Sequence, residues 1–220
     1  ECPPTFGVAP DMVQGIIAGG NAALWESLEG AEDDPEAGAR DLRARSISSA
    51  DVVVGIAASG RTPYVLGALK QARETGAYTI ALVNTSPSEM ERLAELTLAV
   101  LTGPEALAGS TRLKAGTAQK MVLNLLSTGA MVLLGKTYGN LMVDVQATNA
   151  KLRERAVHIV QMVTGVEEEL ARQSLEKAQW SARTAIVMLK QGITAEEANA
   201  RLEQAGGSVR KALGERTEEA

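Results

Sequence analysis

Apolar and polar positions along the chain fall into blocks that change period from strand-like to helix-like. Residues 12–18 form a short apolar run that ends at Gly19 and Gly20, and a helical pattern follows over 21–28, the order of a strand feeding a helix. The pattern repeats. Residues 51–57 (DVVVGIA) are rich in valine and carry no charge past the first position. After the turn Ser59-Gly60-Arg61-Thr62-Pro63 they lead into a helical stretch over 64–74. A third strand is expected over 78–83, a short helix over 88–95 and a fourth strand over 96–101. Continuous apolar strands alternating with helices predict an α/β fold, a parallel sheet with helices on both faces.

A long polar loop opens after Thr102. It leads into a helix over 111–134 that is apolar around most of its circumference, the pattern of a central packed helix. Residues 151–163 are amphipathic, with Leu152, Ala156, Ile159, Val160 and Val163 on one face, and are expected to close the first domain, 1–164. Past Gly165 the chain turns to short helices rich in Ala, Glu, Leu and Gln, separated at Gly192 and at Gly206-Gly207. This predicts a compact module of three or four helices over 165–214, with 215–220 left as a tail.

Composition narrows the function. The 220 residues are 45% hydrophobic, enough for a real core, and a formal charge of -5 with a pI near 5.1 argues against an electrostatic grip on nucleic acid. One cysteine, Cys2, excludes an intrachain disulfide, and a single histidine makes a zinc site of His and Cys ligands a poor expectation. The uncharged stretch 121–135 is interrupted by Asn124, Ser127, Thr128 and Gly129 and is too short and polar to span a bilayer. No signal segment opens the chain, which begins at Glu1 without a methionine, so an N-terminal portion is expected to be missing.

Three places hold candidate chemistry. The first is the turn 57–63, between a buried strand and a helix that opens on a proline. Gly60 allows close backbone approach, and the Ser59 and Thr62 hydroxyls can donate to phosphate oxygens at a helix N-terminus. The carboxyl end of a parallel strand is also where open α/β sheets bind ligands, although the segment reads equally as a plain strand-to-helix turn. The second is the donor-dense loop 102–120, where Ser110 or Thr111 would cap the long helix and Lys114 and Lys120 read singly as surface charges. The third is the acidic cluster Glu29, Glu32, Asp33 and Asp34 before Pro35, which reads as caps and solvated surface. His158, Cys2, Trp25 and Trp180 receive no function, the two tryptophans being expected to pack.

Six segments together carry a family pattern: ECPPTFG at 1–7, IAGG at 17–20, EGAED at 29–33, GIAASGRTPYV at 55–65, GSTRLKAGTAQK at 109–120 and GNLMVD at 139–144. In this order they resemble the N-acetylmuramic acid 6-phosphate etherases, sugar-phosphate lyases built on the sugar isomerase (SIS) fold. The helical tail resembles the ubiquitin-associated-like module these proteins carry. The resemblance implies cleavage of N-acetylmuramic acid 6-phosphate to N-acetylglucosamine 6-phosphate and D-lactate. It assigns Glu1 as the acid that protonates departing lactate and Glu32 as the base at C2. Ser59, Gly60 and Thr62 would hold the phosphate, with Arg61, Glu105, Ser110, Thr111 and Lys114 completing the substrate site. It implies no metal or organic cofactor, no nucleic-acid or membrane partner, a cytoplasmic homodimer, and a further strand and glycine-rich phosphate loop ahead of Glu1. The other expectation for this fold is a noncatalytic sugar-phosphate-binding regulator.

Overall fold

A computed structural model of the chain describes residues 2–145 and 147–215. In order, its elements are α1 (Cys2–Phe6), a 3-10 turn (Gly20–Leu24), α2 (Pro35–Arg43), β1 (Val52–Ile56), α3 (Pro63–Glu74), β2 (Tyr78–Val83), a second 3-10 turn (Met90–Arg92), β3 (Leu96–Ala99) and α4 (Lys114–Leu133). There follow the two-residue strands β4 (Thr137–Tyr138) and β5 (Leu141–Met142), and the helices α5 (Ala150–Thr164), α6 (Glu168–Lys177), α7 (Ala182–Gln191), α8 (Ala195–Gln204) and α9 (Val209–Ala212). They group into two compact units, residues 15–124, and residues 125–220 with 1–14.

The first unit is built on a parallel sheet in the order β1-β2-β3, with Val53 opposite Thr79 and Ala81 opposite Thr97. The valine-rich run and the apolar run over 78–83 form strands as their patterns predict. The central β2 is buried along nearly its whole length, as a strand with a neighbour on each side must be. α3 lies on one face. Its Leu69 packs with Ala81, Val83 and Met90, and its Ala72 packs with Leu42 of α2. Burial of Leu69 and Leu82 is complete, stabilising the fold by about 1.5–3 kcal/mol each.

Two expectations fail here, for one reason. Residues 12–18 form no strand, and the helix expected over 21–28 is reduced to the turn Gly20–Leu24. Met12, Val13, Ile16 and Ile17 are exposed, and Trp25, expected to pack, is 87% exposed. An apolar run becomes a strand only where a ladder partner and a core receive it, and among the described residues this run has neither. The long helix forms as expected, but its apolar circumference is not buried: Leu125 is 71% and Leu133 90% exposed.

The second unit is mainly helical. α5 through α9 share one core with the β4-β5 hairpin, in which Val160, Leu175, Ile186, Val187 and Val209 are fully buried. α5 therefore packs with the helices that follow it. Its helices start on caps: Asn149, Ser181, Thr194 and Ser208 each accept a backbone N–H, and Thr194 completes a capping box with Glu197. Lys136 (2.9 Å) and Arg183 (3.1 Å) both pair with Asp144, whose side chain is only 11% exposed. The backbone of Asp144 abuts Gly7 at the end of α1.

Candidate active site

The site is assembled at the carboxyl ends of the strands, starting with the turn after β1. The Gly60 N–H closes the turn onto the Ala57 carbonyl (3.0 Å), and its own carbonyl accepts from Met90 (3.0 Å). Gly60 has a φ of 62°, and a Cβ placed on it would lie 2.4 Å from the Ser88 Cβ. Only glycine fits there, so its contribution is the close approach of two loops rather than a free N–H. Thr62 then stands as N-cap of α3, with Pro63 in the first turn, and its hydroxyl caps nothing. A hydroxyl left uncommitted at a helix N-terminus is suited to an anionic ligand.

Ser59 and Arg61 line a cleft of about 500 Å³ together with Thr85, Pro87, Ser88, Glu89 and Arg92. Two guanidinium groups and several hydroxyls give it the chemistry of a phosphate site. Thr85, Ser88 and Arg92 were not singled out in the sequence. The signal was available, because the argument that marks the end of β1 as ligand-binding applies equally to the hydroxyl-rich Thr85–Ser88 segment that follows β2.

Glu32, the expected base, is exposed and is not among the residues that line this cleft. Its carbonyl accepts the Tyr64 N–H (3.0 Å) in the first turn of α3. Asp34 is the cap that the acidic cluster was expected to contain. Its Oδ1 accepts from Ala37 N–H (3.0 Å), which holds its carboxyl below the usual aspartate range. α2 and α3 cross at two glycines. A Cβ on Gly38 would fall 1.9 Å from the Tyr64 carbonyl, and one on Gly67 would fall 1.8 Å from the Pro35 carbonyl.

The second loop is organised differently. The Glu105 carboxylate accepts the N–H groups of Lys114 (3.0 Å) and Ala115 (2.9 Å) and so caps α4. Those two bonds, Ala115's the stronger, hold its carboxyl below the ordinary value. Lys114 Nζ returns to the Pro104 carbonyl (2.8 Å), and Ser110 Oγ accepts from Arg112 (3.2 Å). Thr111, whose carbonyl accepts the Gly116 N–H, lies just before the helix. The cap expected from Ser110 or Thr111 is thus supplied by Glu105. Asn84 links the two loops. Its N–H donates to Ala58 (3.0 Å), and its side chain donates to the Val100 carbonyl (2.9 Å) and accepts from Gln119 (2.8 Å).

Glu1, the expected acid, lies outside the described residues. Among the described residues no group of three or more His, Cys, Asp or Glu side chains is placed to hold a metal ion, and no helix is long and apolar enough to cross a membrane.

This parallel sheet lies in a domain of the SIS class, as its match to a family model shows. Residues 6–73 match the family model of the N-terminal SIS domain of glucokinase regulatory protein, and residues 139–184 match that protein's C-terminal lid domain. Among curated proteins, the N-acetylmuramic acid 6-phosphate etherase of Mycolicibacterium smegmatis is 56% identical over 97% of this chain and 72% of its own length. Those of Geobacillus thermodenitrificans and Edwardsiella ictaluri are 56% and 54% identical, over 97% and 98% of the chain and 72% of their own lengths. The chain belongs to the N-acetylmuramic acid 6-phosphate etherase family.

Proposed function

We propose that the chain is a carbon–oxygen lyase that cleaves the D-lactyl ether of N-acetylmuramic acid 6-phosphate, giving N-acetylglucosamine 6-phosphate and D-lactate. In the open-chain sugar the C1 aldehyde acidifies the C2 proton, and the Glu32 carboxylate removes it. The electron pair forms the C2–C3 double bond as the C3–O bond breaks. The departing lactate oxygen takes its proton from Glu1. Water then adds across the double bond, oxygen to C3 and a proton to C2, so one water is consumed overall.

The reading rests on the Tyr64 N–H to Glu32 carbonyl bond, which ties the base-bearing segment to the helix whose N-terminal loop supplies Ser59, Arg61 and Thr62. The phosphate sits against those residues, with Gly60 allowing the approach. Ser110, Thr111 and Lys114 line the sugar side, and Glu105 holds their loop in place. The relatives, at 52–56% identity and named as etherases, favour catalysis over a purely regulatory role. A cytoplasmic homodimer completes the proposal. The apolar stripe that α4 leaves exposed at Met121, Leu125 and Val132 supports a second copy as its cover, and residues 165–214 serve as the appended helical module.

The test is D-lactate release from N-acetylmuramic acid 6-phosphate. It uses the chain and a version extended with the N-terminal segment of the Mycolicibacterium relative, each beside Glu32→Gln and Glu1→Gln. Loss of the base is expected to lower kcat by about 100-fold or more. If the folded, extended protein binds the sugar phosphate and releases no lactate, the lyase reading is wrong and the regulator stands.

A further inference from the structure

Tyr64 belongs to the GRTPYV motif, yet it is not among the residues lining the cleft described above and has no part in the chemistry. It is 5% exposed, and it is bonded through both its backbone and its side chain. Its N–H donates to the Glu32 carbonyl (3.0 Å), and its phenol donates to Asp41 Oδ2 (2.6 Å), seven residues further along α2 than the Asp34 cap. Its own carbonyl is the atom that a Cβ on Gly38 would strike. Burial, reinforced by the bond to Asp41, raises the phenol far above the ordinary tyrosine range, so it remains a donor throughout the working pH range.

These contacts form a bracket. The segment carrying Glu32 has a cap at Asp34 where it enters α2, but on the side of Glu32 itself it is held by Tyr64. α2 is in turn held to α3 by the phenol and by the glycine crossing. We infer that Tyr64 is a positioning residue for Glu32, fixing the segment that carries the base against the helix whose loop receives the phosphate. This deepens the lyase reading and rests on it. Removing the phenolic oxygen leaves the buried ring, the Tyr64 N–H bond and the glycine crossing in place, but it loosens α2 against α3 and, with α2, the segment that carries Glu32. A displacement of this kind reduces turnover and leaves the grip on the phosphate intact, because a proton-transfer step is far more sensitive to geometry than binding is.

The experiment compares Tyr64→Phe, Asp41→Asn and Asp41→Leu with the unaltered protein, all in the N-terminally extended form. Two readouts are taken: hydrogen–deuterium exchange across residues 28–40, with residues 78–99 as internal control, and steady-state lactate kinetics. Tyr64→Phe is expected to speed exchange over 28–40 alone and to lower kcat by about fivefold to tenfold, with KM within about twofold. Asp41→Leu should match it, and Asp41→Asn, which keeps an acceptor, should recover most of the loss. Unchanged exchange over 28–40 would sink the bracket whether or not the protein is active. Faster exchange with unchanged kcat would make Tyr64 structural and overturn the positioning role. Absence of lactate from the unaltered protein, with the exchange contrast still present, would count against the lyase reading and leave the bracket standing.

Discussion

The two donor-rich loops look alike in sequence and are built on opposite principles. The turn after β1 is tied down by main-chain atoms, with the Gly60 N–H on Ala57 and its carbonyl on Met90, so the Thr62 hydroxyl is left without a cap to make. The loop before α4 is tied down by side chains: the Glu105 carboxylate occupies the helix N-terminus, and Lys114 reaches back to Pro104. A helix N-terminus attracts one anion. At α4 that anion is already part of the chain, whereas at α3 Pro63 carries no N–H, the Tyr64 N–H is given to the Glu32 carbonyl, and the Thr62 hydroxyl is what caps nothing. Density of donors therefore does not identify the phosphate loop. Under the proposed function the distinguishing feature of the first loop is a side-chain hydroxyl, that of Thr62, with no cap to make.

The sharpest way to break this contrast is Gly60→Ala. Alanine at a φ of 62° carries left-handed strain, and its methyl group would meet Ser88. The combined cost is about 2–5 kcal/mol in urea unfolding, with lost sugar-phosphate binding in whatever protein remains folded. Adding Ser88→Gly should return the steric part and leave the strain. Recovery to full stability would mean that backbone conformation does not hold this turn.

A smaller effect separates the loops as ligand sites. Ser59→Ala is expected to raise KM for the sugar phosphate about tenfold, the scale of one lost hydrogen bond to a charged group. Ser110→Ala should raise it by only about twofold to threefold. Equal effects in steady-state kinetics would erase the distinction.

Periodicity located the three strands of the sheet, the helix after β1, α4 and α5 to within a few residues. It misplaced residues 12–28, where apolar content was read as a strand and a helix but no ladder partner or core receives it, and it read a helix over 88–95 where only the 3-10 turn Met90–Arg92 forms. It also read α4 as a packed helix, since a fully apolar circumference signals burial without saying by what. In the candidate site, Ser59, Gly60 and Thr62 could be singled out from the sequence because a strand, a glycine and a proline bracket them, and Arg61 entered through the family resemblance. Asn84 and Tyr64 could not, because their roles depend on partners such as Gln119 and Asp41 that only the folded backbone brings near. Glu32 stood out from its acidic neighbours through family resemblance alone. Asp34 proves to be the cap, and Glu32 is bonded instead through its carbonyl to α3.

The gentlest test concerns Glu105, and pH gives it a sign. Two backbone N–H bonds hold its carboxyl below the ordinary value of 4.5 in the folded protein. The folded state therefore favours the ionised form. The resulting stabilisation is complete above the unfolded-state pKa and is lost as pH falls through the lower folded-state pKa. Glu105→Gln cannot ionise and caps α4 with a neutral acceptor. Its urea midpoint should lie below that of the unaltered protein at pH 7, and the two should converge as pH falls through the lowered folded-state pKa, while KM for the sugar phosphate stays within about twofold. Asp34 and Glu95 also have lowered carboxyl pKa values, so both proteins lose stability in acid and the informative quantity is the difference between them. A gap that does not narrow at all as pH falls would mean that charge at Glu105 is not what holds the second loop. A large rise in KM would mean that Glu105 faces the substrate, and the two loops would then be working as one site.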